Sequence, residues 1–436
     1  MIDATPLLGI IEIVLLVILC VIGFHIFVSV GILGVAFSIL YLGWGTGIQQ
    51  VGQFTWAYSW HYIMTMVPLF ILMGAFVAES GLGKDAYDAF GKWLAKLRGS
   101  LAIVSTFACA AFGAVTGSSA ANIVTIGGIS IPEMKRYGYS RTLRTGTIAS
   151  ASILANLIPP SMSCIVYSVL TRVSIGQLFM AIIIPGLILT TMYVGTIWVW
   201  ARIRPGAAPP IDIQYSWGER FKALRFPIPI AVIFLVMIMG IYEGWFSPTE
   251  AGGIGAATVL IVVLVMRRMN RSVFIRGMSN ALRMTGMIMI IVIGAFTIMY
   301  TMTMTRIADV MGDVVIGWGL GPVFIVVFVA VLFIIGGFAL QSLPLVVLFL
   351  PLFYPLVTEA GWDPVWFGVF IVILMEISLV TPPMATNIYI TDLLDDEATT
   401  ADIIKGVVPF YIAAMVLLAL MIAFPSLATF LPSTMR

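Results

Sequence analysis

"ANLIPPSMS" (residues 155–163) sits in a run apolar enough to cross a membrane as one helix, yet it holds two adjacent prolines. Pro159 and Pro160 cannot donate an N–H to the carbonyl four residues back, and each ring pushes that carbonyl aside. The carbonyls of Ala155 and Asn156 are therefore left bare. "SLVTPPMAT" (378–386) repeats the interruption, and there Pro382 and Pro383 bare the carbonyls of Ser378 and Leu379. A bare carbonyl in hydrocarbon costs several kcal/mol. A neighbouring hydroxyl or a water could satisfy one such kink. Two matched breaks point instead to a hard cation such as Na⁺, for which carbonyl oxygens replace the hydration shell.

The surrounding chain supports a membrane setting. Its 436 residues are 61% hydrophobic and 10% charged, against roughly 25% charged in a soluble domain. Apolar windows give spans near 6–23, 25–44, 62–80, 140–172, 175–201, 226–243, 248–266, 283–303, 363–391 and 403–424. The first of these lacks the basic n-region and the cleavage site of a signal peptide. Two further regions, 101–134 and 321–357, are interrupted by "GAVTGSSAAN" (113–122) and "GGFALQSLP" (336–344). Each fits a re-entrant helical hairpin better than one overlong span, because irregular backbone at membrane depth needs protein or a water-filled cavity around it. The expected fold is an all-α polytopic membrane protein of about ten spans plus two hairpins.

The halves align. An offset of 223 carries Gly113 to Gly336, Pro132 to Pro355, Gly138 to Gly361, and Pro159 and Pro160 to Pro382 and Pro383. Upstream, "MGAF" (73–76) answers "IGAF" (293–296) with a small shift in register. Cations flank the first hairpin (Lys84, Lys92, Lys96, Arg98; Lys135, Arg136, Arg141, Arg144), whereas the second has Arg306 beside Asp309, Asp313, Glu359 and Asp363. The positive-inside rule then opens the first hairpin from the cytoplasm and the second from the opposite face, which makes the repeats inverted, as in many secondary transporters. The acidic 392–402 loop falls on the cytoplasmic side, a mild misfit. The implied organisation is 1–48 N-terminal scaffold spans, 49–203 first repeat, 204–226 cytoplasmic linker, 227–270 scaffold spans and 271–436 second repeat. Residues 84–98 and 271–282 read as basic amphipathic helices at the interface.

Opposite each break lies a hairpin tip of small and hydroxyl residues: Thr116, Gly117, Ser118 and Ser119, or Gly336, Gly337, Gln341 and Ser342. Helix N-termini at such tips also suit an anionic substrate. Ser118, Ser119, Asn156, Gln341, Ser342 and Asn387 are the substrate candidates, with helix–helix packing or hydrogen bonding as the plainer role. Glu376 reads first as a structural pair with a cation or with backbone, and second as a proton relay. Glu12 and Glu250 read as interfacial. Cys20, Cys109 and Cys164 have unrelated spacings and read as packing residues. No HExxH, Walker A or GxSxG pattern occurs, so an enzyme is the remote reading, with no transition metal and no organic cofactor. A net charge of +2 gives no case for nucleic acid.

The stretches "FGAVTGSSAANIVTIGGISIPEMKRYGYS" (112–140), "LIPPS" (157–161), "SIGQLFMAIIIPGLIL" (174–189), "SPTEAGGIGA" (247–256) and "MEISLVTPP" (375–383) resemble the large membrane subunit of tripartite ATP-independent periplasmic (TRAP) transporters. The likeness runs in order along nearly the whole chain. It implies a Na⁺-coupled elevator transporter in the bacterial inner membrane, carrying a small organic anion such as a C4-dicarboxylate, sugar acid or keto acid. It also implies a small four-helix membrane subunit and a periplasmic binding protein as partners. Carried over by position, the family's ion ligands fall on Gly113, Thr116, Ala155, Ile158 and Ser161, then on Gly337, Ser378, Thr381 and Met384, mostly through carbonyls. Many members have glycine where this chain has Ala155, Ser378 and Ala385, and Asp-Pro where it has Gln341-Ser342. The rival reading is a stand-alone Na⁺/dicarboxylate- or citrate-type symporter with the same inverted hairpins.

Overall fold

The computed structural model describes residues 5–435 except 211–213, 226, 318, 320, 339, 341 and 384, and the described residues form helices with no strand. In chain order the N-terminal part is α1 (Pro6–Ile22), α2 (Ile26–Leu42), α3 (Trp44–Ser59), α4 (Met66–Glu79, preceded by a 3₁₀ turn) and α5 (Leu82–Leu94). The first hairpin is α6 (Ser100–Thr116), α7 (Ser119–Asn122), a π-turn and α8 (Gly128–Arg136). The first broken helix is α9 (Arg141–Ala151), α10 (Leu154–Leu157) and α11 (Met162–Thr171), followed by α12 (Ile175–Ile203). Next come α13 (Trp217–Leu224), α14 (Ile228–Tyr242), α15 (Pro248–Val265), α16 (Arg271–Thr305) and α17 (Ile307–Gly317). The second hairpin is α18 (Pro322–Gly337) and α19 (Ser342–Glu359), and the second broken helix is α20 (Pro364–Ser378) and α21 (Thr386–Asp392). The chain closes with α22 (Thr400–Ala423) and α23 (Ser426–Ser433).

Among the described residues, five helices are long and apolar enough to cross a bilayer alone, and α9–α11 adds a sixth, bent by 45° at the break. The other expected spans fall on shorter apolar helices, such as α1 and α2 at 17 residues each, near the lower limit for spanning.

The inversion can be read from contacts at the ends of the broken helices. Near the start of α9, Arg144 is held by Asp395, just beyond the end of α21, at 2.6 and 2.8 Å. On α11, the Tyr167 hydroxyl donates to the Pro364 carbonyl at the start of α20 (2.8 Å). Start meets end at both places, so the two broken helices run antiparallel. Each hairpin returns to the end it left: Leu101 N–H donates to the Tyr139 hydroxyl (3.3 Å), and Trp362 Nε1 donates to the Pro322 carbonyl (3.0 Å). Tyr139 and Trp362 are themselves 223 apart. So are Gly138 and Gly361, both left-handed, and the helix-capping Ser140 and Asp363.

Two expectations change, for residues 271–282 and for Glu12. Residues 271–282 are no separate interfacial helix, because α16 runs unbroken for 35 residues. In the first repeat Pro68 has no N–H for the turn before it, and the chain breaks between α3 and α4. The matching position, Ile288, has one. The 204–226 linker is partly ordered: α13 carries a Ser216/Glu219 capping box, and the Ala207 carbonyl accepts from Ser140 N–H (2.9 Å). Glu12 is not interfacial but fully buried, accepting from Thr301 of α16 at 2.6 Å. Glu250 is exposed and caps α15 with Ser247.

The acidic loop stops being a misfit. Besides the Arg144–Asp395 pair, Glu397 meets Arg144 at 2.9 Å, and Lys135 meets Asp396 at 2.9 Å and Glu397 at 3.1 Å. The cations that flank the first hairpin thus neutralise the loop that ends the second broken helix. Burial alone would push the Asp395 carboxyl up. Its bonds from Arg144 and from the Glu397 N–H outweigh that and hold it below its usual range.

Candidate ion and substrate site

At the first break α10 ends at Leu157, and Ile158 is extended at φ −125°. Ser161, extended at φ −109°, caps α11 by accepting from Cys164 N–H. The peptide bonds Pro159–Pro160 and Pro382–Pro383 are both cis. The helix has already loosened one turn earlier, since Ala155 and Asn156 bond back only three residues, to Ser152 and Ile153.

The first hairpin tip is seated on this break. A Cβ on Gly113 would lie 2.4 Å from the Ala155 Cα, and one on Gly117 would lie 2.9 Å from the Pro160 carbonyl oxygen. Gly117 takes φ +57° to turn the chain out of α6, which glycine does without steric cost. Thr116 donates its hydroxyl to Phe112 and keeps acceptor capacity. Asn156, 7% exposed, donates its amide to Ser119 Oγ at 3.4 Å, while its buried Oδ1 has no partner among the described residues. Bare carbonyls, a hydroxyl oxygen and an orphaned amide oxygen form an acceptor-rich set suited to a hard cation.

The second junction is similar but not equal. By the offset of 223 the glycine facing Ser378 should be Gly336. The contact falls one residue on, with a Cβ on Gly337 lying 2.8 Å from the Ser378 Cβ. Gly336 faces Leu345 and Phe349 of its own hairpin instead. The carbonyls of Ser378 and Leu379, bare in the sequence reading, are both engaged: Thr381 N–H reaches Ser378 (3.2 Å) and Asn387 N–H reaches Leu379 (3.0 Å). Each retains a second lone pair. Ser378 and Thr381 give their hydroxyl hydrogens to Met375 and Ile377. Met384 and Gln341 lie outside the described residues.

The other substrate candidates separate. Asn387 donates to Ser152 Oγ at 2.9 Å and to the Ala149 carbonyl at 3.4 Å, which commits its amide to the contact between the two broken helices. Ser118 is half-buried and caps α7 through Ala121 N–H. Ser342 opens α19. Among the described residues Glu376, 1% exposed, pairs with neither a cation nor backbone. It accepts from Ser119 (2.8 Å) and Ser163 (3.4 Å), and Asn156 also hydrogen-bonds to it, all three in the other repeat. Sequence alone does not single out Ser163, or Asn122, which ties the hairpin tip to the Cys109 and Ser152 carbonyls. Their one signal in sequence is a polar residue within an apolar run beside a break.

Antiparallel broken helices, each holding a re-entrant hairpin from the opposite end, define a multi-pass membrane transporter of inverted halves. The solved MtrF efflux pump of Neisseria gonorrhoeae shares this fold at TM-score 0.59 and 13% identity, covering 97% of this chain and 95% of that one. The YdaH transporter of Alcanivorax borkumensis does so at TM-score 0.53 and 12% identity, covering 96% and 97%. Residues 13–427 match the family described as tripartite ATP-independent periplasmic transporter, DctM component, and the chain belongs to it. It is 30% identical to the C4-dicarboxylate TRAP transporter large permease protein DctM of Pseudomonas aeruginosa, over 86% of this chain and 87% of that protein. It is 31% identical to the ectoine TRAP transporter large permease protein TeaC of Halomonas elongata (84% and 85%). It is 26% identical to the sialic acid TRAP transporter large permease protein SiaM of Vibrio cholerae (93% and 94%). These relatives are transport proteins, and the chain is not an enzyme.

Proposed function

We propose that this chain is the membrane component of a Na⁺-coupled uptake system for a small organic anion in the bacterial inner membrane. The observation that carries it is the first junction, where Gly113 and Gly117 bring a hairpin tip onto bare carbonyls beside the unpartnered Asn156 Oδ1. Na⁺ bound there pins the carbonyls and draws the hairpin shut, and a second ion does the same at Gly337, Ser378 and Thr381. With both ions in place the hairpin-tip dipoles and the ions together hold an anionic substrate between the junctions. The hairpins and broken helices then move as one body against the remaining spans, an elevator motion. The names of the relatives, which include carriers of C4-dicarboxylates and sialic acid, support a carboxylate as cargo. The tripartite family name supports a small membrane subunit and a periplasmic binding protein as partners.

The test is uptake by proteoliposomes holding this chain and its small membrane subunit, given the loaded binding protein. Uptake should require an inward Na⁺ gradient and should collapse when K⁺ replaces Na⁺. Uptake indifferent to Na⁺ removes the coupling, and full uptake without the partners favours a stand-alone symporter.

A further inference from the structure

The helix that leads into the first hairpin, α5, separates two spaces of opposite character. One face, with Ala86 and Phe90, lines an apolar slot of about 340 Å³ against Phe107 and Ala110 of α6 and Phe234 of α14. The other face bounds a polar cavity of about 480 Å³, closed by the start of α6, by α8 and by Tyr215 of the linker. A helix divided in this way lies along the membrane surface with its apolar side inward. The cavity is therefore at headgroup depth, on the side that the flanking cations assign to the cytoplasm.

Its charges come in both signs. Lys84, Asp88 and Lys92 of α5 and Glu133 of α8 all line it. Among the described residues none of these four has a salt-bridge partner. The other acids nearby are committed elsewhere: Asp85 pairs with Arg268, and Glu219 caps α13 through Ser216. Lys92 holds its ammonium 5.9 Å from the centre of the Tyr215 ring. Burial holds the Asp88 carboxyl above its usual range, more than Lys84 and Lys92 offset, and the carboxylates of Asp85 and Glu133 add to the rise.

A purely anionic ligand would leave Asp88 and Glu133 facing it, and a purely cationic one would leave the two lysines. An ammonium set between the carboxylates and a phosphate held by the lysines satisfies all four. We propose that this cavity binds the phosphoethanolamine headgroup of a zwitterionic phospholipid. Its depth makes a membrane lipid, rather than a soluble zwitterion, the source. A lipid seated there touches the arm, both limbs of the first hairpin and the linker at once. Its action as a clamp on hairpin movement rests on the uptake reading above, whereas the binding site itself does not.

Native mass spectrometry of the purified protein reads the site. Phosphatidylethanolamine, phosphatidylcholine and phosphatidylglycerol with identical acyl chains are offered together at equal concentration. The wild type should retain phosphatidylethanolamine over both others, because choline has no N–H to donate and glycerol brings no positive charge. Asp88→Asn with Glu133→Gln should reduce that preference about 5-fold, on the scale of two partly exposed charge pairs. Lys84→Gln with Lys92→Gln should weaken phosphatidylethanolamine and phosphatidylglycerol alike, and this second pair keeps the proposal testable if the first does not fold. Asp309→Asn, beyond the other end of the molecule and paired with Arg306, is the control. Soluble phosphoethanolamine should not displace the lipid. No preference in the wild type, a preference unmoved by either double substitution, an equal loss in the control, or displacement by the soluble compound at the lipid's own concentration overturns the assignment. Because the measurement involves neither sodium nor transport, failure here is separate from failure of Na⁺ coupling.

Discussion

Gly113→Ala tests whether the first hairpin must touch the break for the ion site to form. The added Cβ would stand 2.4 Å from the Ala155 Cα, 2.9 Å from its Cβ and 3.0 Å from its nitrogen. Two of those three atoms are backbone and cannot turn aside. Restoring ordinary contact takes a separation of about 1 Å between α6 and α10, on the scale at which packed interiors lose about 1–3 kcal/mol. If that loss falls on the closed, ion-holding arrangement, apparent Na⁺ affinity drops about 5- to 150-fold. Gly337→Ala meets the Ser378 Cβ at 2.8 Å and the Cα only at 3.4 Å. A side chain yields more easily than backbone, so its effect should be smaller. Gly128→Ala meets nothing within 4 Å and serves as the control. The assay is the rise in melting temperature of the detergent-solubilised protein with NaCl, taken against KCl at equal ionic strength. A Gly113→Ala protein that folds and titrates with Na⁺ like the wild type would refute the reasoning.

Other outcomes follow from the same geometry. Arg144→Met strands Asp395, whose side chain is fully buried, and should cost about 3–5 kcal/mol of stability; adding Asp395→Leu should restore most of it in thermal unfolding. Because the folded state holds Asp395 below its unfolded value of about 3.9, this pair stabilises fully above about pH 4. The contribution is lost as pH falls through the lower folded value, and Arg144→Met should abolish that acid-sensitive component. Asn387→Ala should cost about 1–3 kcal/mol of stability and leave substrate selectivity unchanged, because its amide is bonded to Ser152 and Ala149; altered selectivity in competition uptake would contradict this. Replacing both Pro159 and Pro160 by alanine returns N–H donors to the carbonyls of Ala155 and Asn156 and should weaken Na⁺ binding by at least about 10-fold. Unchanged sodium titration would show that those carbonyls hold no ion.

Much of this molecule was legible in one dimension. Proline chemistry is local, so Pro159-Pro160 and Pro382-Pro383 fixed where two helices stop, and α10 and α20 do end just before them. Covalent order also carries the repeat, and the 223-residue offset recurs in Gly138 and Gly361 and in the caps Ser140 and Asp363. What a break does to its carbonyls is not local. Leu379 is engaged by Asn387 N–H because the chain after the prolines folds back on it, whereas among the described residues the first break has no such return. Nor could sequence say that Gly337 rather than Gly336 meets Ser378, that Asp395 would close on Arg144, or that Glu376 would find Ser119 across the repeats. Those pairings join residues far apart in the chain, and they form only when two antiparallel broken helices are packed to van der Waals contact. Hydropathy and spacing therefore determined the membrane class, the repeat and the breaks. Tertiary packing alone decided which oxygens at the breaks find a partner among the described residues and which do not.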